Sequence, residues 1–130
     1  MSNKITELDV AQIPITNSGA DARFGDLIFE DGFLGTVADF NDLTAADTKG
    51  IVTGAVGNID ISADRIISTQ QIAATQTFVV QTLCYFHGAN REITDSLDLG
   101  TVVCGYITEV MDNTHIKIKL LPQSGALVVA

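Results

Sequence analysis

Apolar and polar residues alternate along the stretch 114–121 near the end of the chain. A period of two residues predicts a β-strand with one face in the core and the other in solvent. The residues expected inside are Ile116, Ile118 and Leu120, and those expected outside are His115, Lys117 and Lys119. The preceding stretch 101–110 places Val102, Cys104, Tyr106 and Val110 on one parity. Because the linker 111–113 is short and contains Asp and Asn, the two stretches predict a β-hairpin.

A second hairpin is predicted between residues 26 and 37. Two apolar segments rich in β-favouring residues, 27–29 and 33–37, flank the dipeptide Asp31-Gly32. Glycine accepts a positive φ without steric cost, and Asp-Gly is a frequent pair in tight hairpin turns. We therefore expect the chain to reverse at these two residues.

The remaining pattern predicts more strands and little helix. Strands are expected at 50–56, 58–61 and 77–86, and segment 66–75 is ambiguous because it contains several Gln and Ala residues. The segment 77–86 is almost continuously apolar or β-favouring, so we expect it to be the central, buried strand. Segments 41–47 and 94–98 each have room for one or two helical turns, with Asn41 or Asp42 as a helix cap in the first. Neither has an apolar stripe long enough for a stable amphipathic helix.

These elements predict an all-β fold, mainly antiparallel, forming a small barrel or sandwich with one or two short helical turns. A chain of 130 residues with 46% hydrophobic residues is expected to close around one core. We expect an extended N-terminal arm at 1–22, a β-domain at 23–121 and an apolar C-terminal tail at 122–130.

Both ends of the chain are candidates for contacts with other molecules. Pro14 cannot donate a backbone hydrogen bond, which predicts an edge strand or an extended arm. The apolar terminus 126–130 would either dock on its own body or add a strand to a neighbouring subunit. The candidate contact residues are Ile5, Leu8, Val10, Ile13, Ile15, Leu127, Val128 and Val129.

The charge balance excludes some partners. The formal net charge is −9 and the isoelectric point is about 4.3, whereas phosphate binding needs Lys and Arg to displace counterions. The sequence has no apolar run of membrane-spanning length and no apolar segment typical of a secretory signal at its start. We therefore expect a soluble protein that binds neither nucleic acid nor membrane.

The acidic residues are unevenly distributed. Nine acidic residues lie between positions 21 and 64. Only two basic residues, Arg23 and Lys49, lie in the same range of the sequence. They are Asp21, Asp26, Glu30, Asp31, Asp39, Asp42, Asp47, Asp60 and Asp64. Exposed turns account for most of this clustering, so we interpret it as a solvated face.

Residues that could carry catalysis are sparse. His115 is expected on the solvent side of its strand, and His87 lies in a turn without the serine elbow of a Ser-His-Asp triad. The segment 39–44 is acidic, but Leu43 and Thr44 occupy positions where a calcium loop needs a ligand and a glycine. We expect no metal site, no cofactor and no enzymatic activity.

Two cysteines, Cys84 and Cys104, lie in apolar surroundings. They are expected to be small buried hydrophobic residues. A disulfide between neighbouring strands and a reactive thiol are the two alternatives.

The order of these segments resembles the small capsid cement, or head decoration, proteins of tailed bacteriophages. The resemblance covers roughly residues 23–121 and depends on short motifs. The matching elements are the Gly-Asp-Leu strand 25–28, the apolar strand 33–37, the acidic segment 42–47, the late strand 100–109 and the final strand 115–120.

This resemblance implies a structural virion protein on the outer capsid surface, assembled in the host cytoplasm. Its partners would be the major capsid protein and further copies of itself in a homo-oligomer, often a trimer. It would cement the contacts between major capsid subunits against internal DNA pressure. The alternatives are another virion component, such as a head-fibre base, tail tube or host-attachment module, and a small β-barrel ligand-binding or enzyme subunit.

Overall fold

The computed structural model describes residues 12–112 and 114–121. These residues form β-strands joined by turns and contain no helix, so none of them belongs to a helix that could span a membrane. In chain order the strands are β1 (Gln12–Thr16), β2 (Ala22–Arg23), β3 (Leu27–Glu30), β4 (Phe33–Val37), β5 (Asn41–Asp42), β6 (Lys49–Ile51), β7 (Val56–Asp60), β8 (Ile66–Thr69), β9 (Leu83–His87), β10 (Glu92–Thr94), β11 (Thr101–Asp112) and β12 (His115–Leu120).

The strands form three antiparallel sheets. Their orders are β1-β7-β4-β3, β10-β9-β11-β12-β8 and β2-β6-β5. The prediction of an all-β, mainly antiparallel fold is therefore confirmed. The sheets do not close into a barrel, and the arrangement is consistent with a sandwich.

The predicted helical turns are wrong. Asn41 and Asp42 form β5 and pair with Gly50 and Lys49 of β6, and the chain between these strands is a turn in which Asp47 has a φ of 60°. Segment 94–98 leaves β10 through bends that lead to Gly100. In both places short polar side chains bond nearby backbone, as Thr48 does to the carbonyl of Ala45 at 2.7 Å, and this competes with helix formation.

Both predicted hairpins are present. Strands β11 and β12 pair antiparallel, and Ile116, Ile118 and Leu120 are buried as the alternation predicts. Strands β3 and β4 pair with Leu27 opposite Thr36 and with Glu30 opposite Phe33. The turn between them has positive φ values at Asp31 (54°) and Gly32 (87°), which is the backbone geometry that Asp-Gly favours.

The stretch 77–86 forms a shorter strand than expected, and that strand is not central. Only Leu83–His87 is β9, while Val79 and Val80 before it are exposed, and Gln81 has a φ of 71° that interrupts an extended chain. The central position belongs to β11, whose 12 residues pair with β9 on one side and β12 on the other.

Strand β11 also departs from its predicted parity. Val102 and Cys104 are buried as expected, but Tyr106 and Val110 are exposed and Ile107 is buried instead. The pairing register with β9 shifts between Val103 and Gly105, so a β-bulge moves the following side chains to the opposite face.

Two hydrophobic cores lie on opposite sides of the β3–β4 hairpin. Leu27 and Leu34 belong to the larger core, together with Phe86, Ile107 and other residues of the five-stranded sheet. Ile28 and Val37 belong to the second core, with residues of β1, β6 and β7. Because adjacent residues of a strand point to opposite faces, this hairpin is buried on both sides.

Strand β1 lies at the edge of its sheet, as Pro14 predicts. It pairs with β7 from Gln12 to Thr16, opposite Asp60 to Val56. Ala22 is also buried in the second core, so the described part of the predicted arm, residues 12–22, is packed into the body. Residues 1–11 and 122–130, which are the first half of the predicted arm and the whole predicted tail, lie outside the described residues.

Candidate functional site

The candidate contact residues that are described lie in β1. Ile15 is 2% exposed in the second core, and Ile13 packs against the same core in a half-buried position. Both side chains therefore pack against the second core of the chain itself. The other six candidates, Ile5, Leu8, Val10, Leu127, Val128 and Val129, lie outside the described residues.

The two histidines are far apart in the sheet topology. His87 ends β9, and its Nδ1 accepts a hydrogen bond from the backbone N–H of Asn90 at 3.3 Å. His115 begins β12, and its Nδ1 lies 3.4 Å from the side-chain amide nitrogen of Gln70. Within residues 12–112 and 114–121, no three His, Cys, Asp or Glu side chains are grouped so that they could hold a metal ion.

An open groove of the described body carries few ionisable groups. It lies between segment 70–78 and the far end of β11, where Phe78 and Val110 line it. Its ionisable lining residues are Glu92 and Asp112. The hydrogen bonds that the Asp112 carboxylate accepts from Thr114 lower the pKa of Asp112, so this carboxylate stays ionised to a lower pH than an ordinary aspartate.

An aromatic pair is exposed on the three-stranded sheet. The ring centroids of Phe24 and Phe40 are 5.2 Å apart, and the rings meet edge to face at 88°. Phe24 is 52% exposed and Phe40 is 66% exposed, although large apolar rings usually gain free energy from burial. Exposed apolar groups that cluster together mark interaction surfaces more often than single exposed residues do.

The short strands hold this pair in place. Phe24 follows β2, and its backbone N–H donates to the carbonyl of Lys49 in β6 at 2.7 Å. Phe40 directly precedes β5, which pairs with the same strand β6. The two rings therefore belong to chain segments that are both hydrogen-bonded to β6, the central strand of this sheet. The alternation pattern does not predict this contact, because it joins residues on separate turns.

Carboxylates surround the aromatic pair in the chain. Asp21 precedes β2, Asp42 lies in β5 and Asp47 lies in the turn that follows. Asp42 forms an ion pair with Lys49. We call Phe24, Phe40 and these three carboxylates the aromatic-acidic surface. The clustering of acidic residues in the sequence indicates the carboxylates of this surface. No sequence pattern indicates that Phe24 and Phe40 meet there.

Asp21 is the most strongly bonded of these acids. Its carboxylate accepts hydrogen bonds from the backbone N–H of Thr53 at 2.9 Å, from that of Thr44 at 3.1 Å and from the Thr53 hydroxyl at 3.1 Å. The bond from the Thr53 N–H is the largest cause that lowers the pKa of Asp21 to about 2. Asp21 therefore stays ionised, and it links the start of β2 to the loop between β5 and β6 and to the loop after β6.

A second set of exposed apolar residues lies along β11. Tyr106 is 44% exposed, Val110 40% and Met111 44%, and Val80 borders the same face. Lys119 of β12 lies beside Val80 and Tyr106 in a shallow apolar groove. Lys119 gives this groove a basic side chain.

No protein-family model matches the chain, and neither the curated proteins nor the solved structures contain a match.

Proposed function

We propose that this chain is a structural protein of a tailed-phage virion that binds the outer capsid surface and cements contacts between major capsid subunits. The resemblance in the sequence supports this proposal, and its two most regular motifs correspond to hairpins β3–β4 and β11–β12. The partners are the major capsid protein and other copies of this chain, and the protein acts by adhesion without a cofactor.

The observation that carries the proposal is the aromatic-acidic surface. Aromatic side chains in the centre of an interface supply much of the binding free energy once a partner covers them. The carboxylates that neighbour the pair in the chain favour a partner whose apolar pocket is bordered by Lys or Arg, because complementary charges steer and orient association. A net charge of −9 would be repelled by packaged DNA, which favours the outer face of the shell.

Cementing requires contact area and many copies. A stable contact buries on the order of 1,000 Å² or more, and a rigid β-body with exposed apolar groups can contribute to such an area. Each copy need contribute only modest binding free energy, because many copies act on one shell.

The experiment adds purified protein to capsids of the encoding phage that were assembled without it. Co-sedimentation and the temperature at which the capsids break open are measured. We expect the wild type to co-sediment and to raise that temperature. The double variant Phe24→Ala/Phe40→Ala should bind at least about tenfold more weakly, since each ring is expected to act as a central anchor.

The matched control is Leu97→Ala/Leu99→Ala. These leucines are 56% and 71% exposed and lie on the loop after β10, away from the aromatic pair in the chain. Their removal should leave capsid binding close to that of the wild type. Equal binding by the phenylalanine variant and the wild type would refute the aromatic-acidic surface as the contact. Failure of the wild type itself to bind would refute the cement function.

The predicted arm has its own test. A variant that lacks residues 1–11, and so keeps the whole of β1, should bind capsids more weakly if Ile5, Leu8 and Val10 contact a neighbour. Undiminished binding would show that the arm is not needed, and the test with Phe24 and Phe40 would still stand.

A further inference from the structure

Cys84 and Cys104 meet at the β-bulge in the five-stranded sheet. Val103 pairs with Tyr85 and Gly105 pairs with Cys84, so Cys104 is the extra residue between these two pairs. In a bulge, two residues of one strand lie opposite a single residue of its partner. Cys104 and Gly105 therefore share Cys84 as their opposite residue.

Both thiols lie in the same core. Cys84 and Cys104 are each 0% exposed and belong to the larger hydrophobic cluster. The Sγ of Cys84 lies 3.5 Å from the carbonyl oxygen of Gly105, which places this sulfur beside the bulge. A hydrogen bond with the Cys84 thiol, followed by burial, raises the pKa of Cys104 well above its ordinary value. The two thiols are thus neutral neighbours.

The bulge that brings the cysteines together depends on Gly105. A Cβ at this position would lie 2.1 Å from the carbonyl oxygen of Lys119 in β12. Only glycine lets β11 lie this close to β12 here, and the extra residue Cys104 is accommodated on the side of β9. The cysteine contact is therefore built into the pairing of the three inner strands.

We propose that Cys84 and Cys104 form a redox-active pair that closes into a cross-strand disulfide when the protein meets a low-molecular-weight disulfide such as oxidised glutathione. The structure describes the reduced form, in which both cysteines are free. This inference goes beyond the proposed function and does not depend on it.

The reaction is a pair of thiol–disulfide exchanges. One cysteine loses its proton, and its thiolate attacks a sulfur of the small disulfide, forming a mixed disulfide and releasing one small thiolate. The other cysteine then loses its proton and attacks the protein sulfur of the mixed disulfide, which releases the second small thiolate. The two protons end on the two released thiols, so two cysteines are oxidised and one small disulfide is reduced.

Burial makes the reaction depend on local opening of the sheet. The segment before β9 is held to β11 by the bonds from Gln81 N–H to the Ile107 carbonyl at 2.7 Å and from Ile107 N–H to the Thr82 carbonyl at 3.0 Å. Release of these bonds would expose the thiols. The closed disulfide would be protected from reduction by the same burial.

The test incubates the reduced full-length protein with oxidised glutathione and then alkylates free thiols in denaturant. We expect both thiols to disappear together, with a mass loss of two hydrogens, no bound glutathione and a cross-linked peptide that contains Cys84 and Cys104. The variants Cys84→Ala and Cys104→Ala, tested separately, should yield a mixed disulfide or a free thiol. Two thiols that stay free in the wild type after prolonged incubation, or two separate glutathione adducts, would overturn the proposal.

A second measurement compares the thermal unfolding of the oxidised and reduced protein. The oxidised wild type should unfold at a temperature about 5 °C or more above that of the reduced wild type, because the cross-link restricts the unfolded chain. In each single-alanine variant the unfolding temperature should not respond to oxidant or reductant. A wild-type oxidised form that unfolds at a lower temperature than the reduced form would also contradict the proposal, because it would show that the bulge cannot hold the bond.

Discussion

At the scale of single residues, one carboxylate links separate segments of the three-stranded sheet. Asp21 bonds to Thr44 and Thr53, which lie on different loops. Short strands such as β2 and β5, with two residues each, have few backbone bonds of their own. The side chain of Asp21 replaces part of the missing pairing.

This role predicts a pH dependence of stability. The pKa of Asp21 falls from its ordinary value of 3.8 to about 2 in the folded protein. Its contribution to the free energy of unfolding is therefore complete above about pH 4 and is lost as the pH falls through the folded value. The variant Asp21→Asn should unfold at a lower temperature than the wild type near neutral pH, and the two should converge as the pH approaches 2.

The comparison is made by thermal unfolding monitored by circular dichroism over that pH range. Asp47→Asn removes an exposed carboxylate from the neighbouring turn and is the matched control, for which a smaller change at neutral pH is expected. A constant difference between Asp21→Asn and the wild type at every pH would contradict the assignment, because an ionised carboxylate would then not be the group responsible.

At the scale of elements, glycine determines how β11 meets its neighbours. Gly105 lies where the register to β9 shifts, and it faces the backbone of β12. Before Gly105, the side chains of Val102 and Cys104 lie on the face that the alternation predicts, whereas Tyr106 and Val110 after it lie on the opposite face. One residue thus decides which side chains of the longest strand reach the core.

Substitution of Gly105 by alanine should be costly. The added Cβ would lie 2.1 Å from a backbone carbonyl oxygen that cannot move without breaking the β11–β12 pairing. We expect a loss of about 2 kcal/mol or more in the free energy of unfolding, measured by urea denaturation. The matched control Gly88→Ala places its Cβ 3.4 Å from the ring of Phe29, an ordinary contact with a side chain, and should cost much less. Equal costs for both variants would refute this account of the bulge.

The elements themselves could be predicted from the sequence where alternation and turn chemistry agree. The stretch 115–120 has a clean period of two, and Asp31-Gly32 has the residue types of a tight turn. The bulge at Cys104 could not be predicted, because it depends on how close β12 approaches Gly105. The exposed pair of Phe24 and Phe40 is likewise a product of strand pairing between distant segments, which leaves no local pattern.

At the scale of the whole molecule, one buried network joins two sheets. Asn17, which is 0% exposed, donates to the carbonyls of Ala20 and Ile51, and its Oδ1 accepts from the Arg91 guanidinium at 2.6 Å. Arg91 lies in the turn between β9 and β10, and it also donates to the Ala20 carbonyl at 2.7 Å and lies 3.6 Å from Glu30. The five-stranded sheet is thereby bonded to the loop after β1.

Removal of the guanidinium should weaken the whole body. Arg91→Ala leaves the buried Asn17 oxygen and the Ala20 carbonyl with fewer donors, and we expect a loss of about 1–3 kcal/mol in the free energy of unfolding. Arg91→Lys should recover only part of this loss, because an ammonium group lacks the fork that reaches several acceptors. Urea denaturation gives the values, and the exposed Arg23→Ala is the control. A cost for Arg91→Ala no larger than that for Arg23→Ala would show that the network does not connect the sheets energetically.

The position of the β3–β4 hairpin between the two cores affects how the molecule unfolds. Its residues belong to both hydrophobic cores. If either core unfolded, the apolar side chains on one face of the hairpin would be exposed to water. A partly unfolded state that keeps only one core would therefore lose the free energy gained by burying that face of the hairpin. We therefore expect the described body to unfold as a single cooperative unit, and we expect a load applied to one face to be shared with the opposite face through the hairpin.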